Sequence, residues 1–252
     1  GRGLGALRAR VVGSHAIAGG IGFSSGGSVG VNAGSLVIAG GGSDSGVYTV
    51  AAGASLVFSG GTRTLQAGAD VSGAGTFNVA GATVNANVSL GLAASGTAVV
   101  ISSGVLNANA AQTVPTLTLS GGGLGGSGAV TVTGAFNVTG SGTFLAGGGV
   151  LTTQGVSLGS MAAGTGYLAL VGRSWVNEGS LTVGGDDRIW FGFTSGGTNS
   201  LTNAVGATID LASSYATPLD YWTGTASVTN LGALTASVAG SHAIGGGIGF
   251  SN

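Results

Sequence analysis

The chain is written in short runs where Val, Ile, Leu, Phe and Thr alternate with small polar residues, and glycine breaks each run after a few positions. Alternation of period two is the mark of a strand, because successive side chains point to opposite faces. GASLVF (53–58), GTFNVAGATVNANV (75–88), GVLNANA (104–110), LTLSGGGLGGSGAVTVTGAFNVTGSGTF (117–144) and GVLTTQGVSL (149–158) all carry it. No segment combines a 3.6-residue period with caps, so an all-β chain with almost no helix is expected. With 56 of 252 residues glycine, there are corners enough to turn the chain after every run.

A slower beat overlies the alternation. SWVNEGSLTV (174–183), SLTNAVGATIDL (200–211) and SVTNLGALTA (227–236) each place an asparagine just before a glycine-marked turn. These are Asn177, Asn203 and Asn230, spaced by 26 and 27 residues. Short strands, frequent turns and a beat of this size predict a parallel β-helix, a β-solenoid whose coils stack strand on strand. Coils separated by the inter-strand distance of about 4.8 Å would make ten of them a rod roughly 50 Å long. Asparagines recurring once per coil are then expected to form a structural ladder.

Residues 4–24 (LGALRARVVGSHAIAGGIGFS) return as residues 231–251 (LGALTASVAGSHAIGGGIGFS), identical at 17 of 21 positions at an offset of 227. A second copy of this kind predicts a tandem array with a unit of about 227 residues. Residues 1–12 are then the tail of a preceding repeat, 13–239 one unit, and 240–252 the start of the next.

Charge is nearly absent. Six arginines and seven acids are the whole complement, there is no lysine, and residues 71–172 hold no charged side chain. General acid–base work needs ionisable groups converging on one place, so the chain is expected not to be an enzyme and to hold no cofactor. Arg2, Arg8 and Arg10 are the only basic cluster, too little for a nucleic-acid surface. Zero cysteines exclude disulfides and thiolate metal sites, and no apolar stretch is long enough to span a membrane as a helix. A protein without surface Lys and Glu has also given up the usual guard against association. Self-association, with neighbouring repeats or with laterally packed copies, is the expected partner chemistry.

GVYTVAAGASLVFSGGTRTL (46–65), LTLSGGGLGGSGAVTVTG (117–134) and GRSWVNEGSLTV (172–183) resemble the filamentous-haemagglutinin-like and autotransporter-passenger adhesins of bacteria. The resemblance covers roughly residues 45–236, and the missing lysine departs from it. It implies a right-handed parallel β-helix, secreted and displayed on the surface of a Gram-negative cell. It also implies a stalk, sheath or filament role, with a cell-surface glycan or host receptor as an outside partner.

Four groups of residues compete with this structural reading. His15 and His242 occupy equivalent places in the two copies, too far apart along a rod to share a metal. GGGSDSG (40–46) and Asp186–Asp187 have the look of glycine-rich calcium turns, but those sites need the motif in tandem and each occurs once, so no metal site is expected. Arg173, Glu178, Asp186, Asp187 and Arg188 crowd one stretch and are the candidates for a polysaccharide-cleaving site, against local ion pairs in a loop. Finally Tyr167, Trp175, Trp190, Phe191, Phe193, Tyr215, Tyr221 and Trp222 concentrate the aromatics. Packing is the favoured role; stacking on sugar rings, with Trp175, Trp190, Tyr215, Tyr221 and Trp222 as contacts, is the alternative.

Overall fold

The computed structural model describes residues 6–161 and 164–252. Residues 1–5, Arg2 among them, lie outside the described residues, and with them the first part of the segment 1–12. The chain is all-β: parallel strands stack as a β-solenoid of about eleven turns, with almost no helix.

Three faces run along the rod. The first begins with Ala6–Ala9, Ser28–Val31, Val47–Val50 and Asp70–Ser72, and resumes at Gln112–Val114 to end at Ile248–Ser251. Its gap is taken by the helical turn Leu92–Ser95, which touches the strands on either side and puts Leu92 into the core. The second face runs from Ser14–Ile17 to Ala233–Thr235, and the third from Gly42–Asp44 to Leu219–Tyr221. Two long strands, Thr76–Ala86 and Ala98–Ala108, serve both of these faces and turn the corner with a register shift after Val79.

The corners are where glycine is required. Gly126 and Gly147 stack in successive coils between the third and first faces, with φ of +94° and +83°. A Cβ on Gly147 would collide with the Gly126 carbonyl oxygen below it, so both the conformation and the close approach exclude other residues.

Inward positions line up coil upon coil. On the second face Leu36, Leu56, Phe77, Val99, Leu117 and Phe136 form an unbroken in-register ladder. Each is buried, worth roughly 1.5–3 kcal/mol per large apolar side chain taken out of water. Phe58 meets Phe77 edge-on at 5.4 Å, and Phe136 meets Trp175 in the same way at 5.5 Å. Val130 and Phe136 point inward with 2% and 0% of their surface exposed. Alternation in the sequence therefore became alternation between core and outside.

Candidate functional site

The five charged residues of 173–188 do not converge. Arg173, ahead of Ser174–Asn177 on the first face, is buried in the corner and donates to the Ala146 carbonyl at 2.7 Å. With no carboxylate beside it, burial pushes its guanidinium down to about 10. Glu178 follows that strand, exposed, and accepts from Gln154 at 3.0 Å. Asp186 and Asp187 sit at the next corner, between Ser180–Val183 and Arg188–Phe191. There Asp187 is buried and accepts the Met161 and Gly166 amides at 2.7 and 3.0 Å. Asp186 accepts the Thr165 hydroxyl at 2.7 Å. Arg188 lies on the third face, paired with Asp220 at 3.1 Å and with its guanidinium 3.9 Å from the Trp190 ring centre. One coil thus distributes these groups around its circumference, whereas a glycosidase mechanism needs two carboxyl groups facing one bond.

The calcium-like window GGGSDSG does different work. Asp44 is fully buried and is ion-paired with Arg63 from the next coil, while it also accepts the Ser25 amide at 2.8 Å. Arg63 further donates to the Gly40 carbonyl at 3.0 Å and lies 4.6 Å from the Phe58 ring centre. Tyr48 closes the cluster, and burial, with Asp44 nearby, holds its hydroxyl far above the ordinary phenol range. Both carboxylate oxygens have donors already. Among the described residues no group of three or more metal-ligating side chains comes together.

His15 Nε2 donates to the Val11 carbonyl (3.1 Å) and His242 Nε2 to the Ser213 carbonyl (2.8 Å), at opposite ends of the rod.

The asparagines form a chain of amides. Asn177 Nδ2 donates to Asn203 Oδ1 at 2.8 Å, and Asn203 Nδ2 to Asn230 Oδ1 at 2.8 Å. A fourth member, Asn252, accepts from Asn230 in the following coil. The same Nδ2 groups also reach corner carbonyls of the coil above, Thr208 at 3.0 Å and Ala233 at 2.9 Å. Two shorter amide pairs, Asn85–Asn107 and Asn87–Asn109, were not anticipated, although their common spacing of 22 residues is visible in the sequence.

The aromatic residues divide. Trp175 is 1% exposed and donates its Nε1 to Thr153 Oγ1 at 3.0 Å inside the core, and Phe191 is fully buried, so neither ring can meet a glycan. Tyr221 packs against the core and donates its hydroxyl to the Gly224 carbonyl. Outside the third face Tyr167, Trp190, Phe193 and Trp222 form a strip, with Tyr215 beside Arg188. Trp190 is clamped: Phe193 stacks on it at 4.4 Å and Arg188 covers it as well. Trp222 alone stays half open, at 52% exposure. A groove runs beside the strip between Phe144, Tyr167 and Phe193 over a floor of Ala146 and Ala169. At its rim Thr194 holds φ of +63°, unlike any other non-glycine residue described.

No helix of the described residues is long and apolar enough to cross a membrane. Compared with known proteins, the chain matches no family model, no curated sequence and no solved structure.

Proposed function

We propose that the chain is a non-catalytic structural repeat of a large exported bacterial surface protein, an adhesive stalk or filament element that acts through its stiffness and its self-association. The observation that carries this reading is the parallel pairing that runs without a break along the second and third faces, bounded at both ends by 21-residue segments identical at 17 positions. Cross-coil hydrogen bonds and stacked apolar ladders give a rod whose length grows with the number of units. The scattered charges of 173–188 and the amide chain on the Asn177 corner support a scaffold over a catalyst. The decisive measurement is the mass of the native polypeptide after full denaturation, taken from the cell surface. Hundreds of kilodaltons are expected, and a mass near the 23.5 kDa of this segment would defeat the covalent-repeat reading. Protection of the chain from added protease until cells are broken would defeat surface display.

The half-open ring of Trp222 beside the groove favours a second role, a glycan contact on the third face. This narrows the sugar-binding alternative to the outer strip and leaves Trp175 out of it.

A further inference from the structure

The two copies of the repeated sequence do not occupy the same faces. In the first copy Ala6–Ala9 lies on the first face under Ser28–Val31, and Ser14–Ile17 lies on the second face under Ser35–Ile38. Phe23 then lies under the start of the third face, its amide donating to the Gly41 carbonyl at 3.2 Å. In the second copy the equivalent Ala233–Thr235 lies on the second face, over Thr208–Asp210. Ile244, the counterpart of Ile17, bridges Leu219 on the third face, and Ile248–Ser251, counterpart of 21–24, lies on the first face over Ala226–Thr229. Every strand has advanced by one face.

The first copy shows what the segment pairs with above it, and the second what it pairs with below. Laid on one segment, the two sets of neighbours agree. Leu7 is the partner of Val29 and its counterpart Leu234 the partner of Ile209. Ile17 pairs with Ile38, and its counterpart Ile244 with Leu219. Phe23 faces the buried Arg63, and its counterpart Phe250 pairs with Val228. Val29, Ile38, Ile209, Leu219 and Val228 all point into the core. The ladders Ile209–Leu–Val29, Leu219–Ile–Ile38 and Val228–Phe therefore continue inward through a shared coil, with the in–out alternation kept on every face. A one-residue slip would have turned each of these apolar side chains outward.

We propose that successive units join through this segment as a shared coil, so that each unit is rotated a third of a turn against the one before it. The unit is then ten and one third coils long, and its first face stacks on its neighbour's second. The aromatic strip, confined to the third face, would follow a spiral that closes after three units, about 150 Å at about 4.8 Å per coil. This rests on the tandem reading above, and the partner it names is the next copy of the same sequence.

The test is a two-unit chain in which residue 252 is followed directly by a second copy from residue 26, so that 231–251 is the one junction segment. Because the chain has no cysteine, disulfides can be placed cleanly. In-register parallel neighbours lie within the Cα separation a disulfide spans. One variant carries Asp210→Cys with Thr235→Cys, which pair in the lower unit. The other carries Thr235→Cys with Gly30→Cys of the second unit, the pairing that Arg8 makes with Gly30 here. Near-complete oxidation of both is expected in non-reducing peptide maps. Formation of only one, or of neither, overturns the shared coil, since the segment would have abandoned a neighbour. Should the two-unit chain fail to fold, the axial period of the native fibre decides: three units supports the rotation, and one unit, about 50 Å, overturns it. A native mass of one unit would sink the tandem reading alone, while the disulfides would still report whether the segment can serve two coils.

Discussion

The two ends of the rod bury polar groups by opposite means. Near the N-terminus, Asp44, Arg63 and Tyr48 make a closed cluster: the carboxylate, the guanidinium and the phenol meet one another and the Gly40 carbonyl, leaving the Arg63 Nε without a partner. Toward the C-terminus, Asn177, Asn203, Asn230 and Asn252 make an open series. An amide carries a donor and an acceptor, so each member both satisfies and demands an identical neighbour. A carboxylate and a guanidinium satisfy each other and stop. The asparagine solution extends with every added coil, while the ion pair fits one place only.

The largest effect should come from moving one solution into the wrong place. At Asp44 a buried carboxylate meets Arg63 and the Ser25 amide; at Phe136, in the charge-free stretch, the neighbouring rungs on the ladder are Leu117 and Ser157. Phe136→Asp loses an aromatic core residue and buries an unpaired charge, more than about 5 kcal/mol together. Limited proteolysis should show a new cleavage point in the middle coils. Equal resistance to that of the parent would mean that the core there opens to water.

Breaking the closed cluster comes next. Asp44→Ala strands Arg63 in the core and should lower stability by about 3–5 kcal/mol. The pair Asp44→Leu with Arg63→Met should recover most of it, because the cluster's cost lies in leaving one charge unanswered. Urea unfolding of the single and double variants checks this, and a double variant no better than the single would show that the cluster specifies packing rather than charge.

Much of this was legible beforehand because it depends on periodicity. Strands, corners and the Asn177–Asn203–Asn230 series follow from alternation, glycine placement and spacing, each readable along the chain. What was not legible depends on which residues face one another across coils of unequal length. Asp44 and Arg63 are 19 residues apart, and nothing in GGGSDSG says that its aspartate turns inward to meet an arginine. Trp175 lies among outward-looking aromatics in the sequence, yet strand parity sends it into the core while Trp190 points out. The third-of-a-turn offset between the copies is equally hidden, because the two copies share 17 of 21 residues and what sets them on different faces is their neighbours.

The asparagine series should break more gently. Asn203→Leu removes its bonds to Asn177 below and Asn230 above, about 1–3 kcal/mol. Asn177→Leu should cost less, since the Asn177 Oδ1 has no partner to lose. Equal losses at both positions would mean that the bonds to corner carbonyls, which the two share in kind, matter more than the amide chain itself.

The smallest effect is expected on the outer strip, where neither solution operates. Trp222 touches Trp190 edge-on at 4.9 Å and Phe193 at 5.4 Å, but half its surface faces water. Trp222→Ala should therefore cost about 0.5–1 kcal/mol, within what one aromatic edge contact supplies. Trp190→Ala removes the ring that Phe193 and Arg188 both cover and should cost more, although it too lies on the outside. Thermal unfolding of the two variants separates a supporting ring from a free one. If Trp222→Ala proves as damaging as Asn203→Leu, the strip is a brace for the third face, and the ring is not available to a ligand. If stability is unchanged, titration of oligosaccharides against tryptophan fluorescence becomes a clean test. A response in the parent chain that disappears in Trp222→Ala supports a glycan contact, and a response that survives places the sugar elsewhere on the rod.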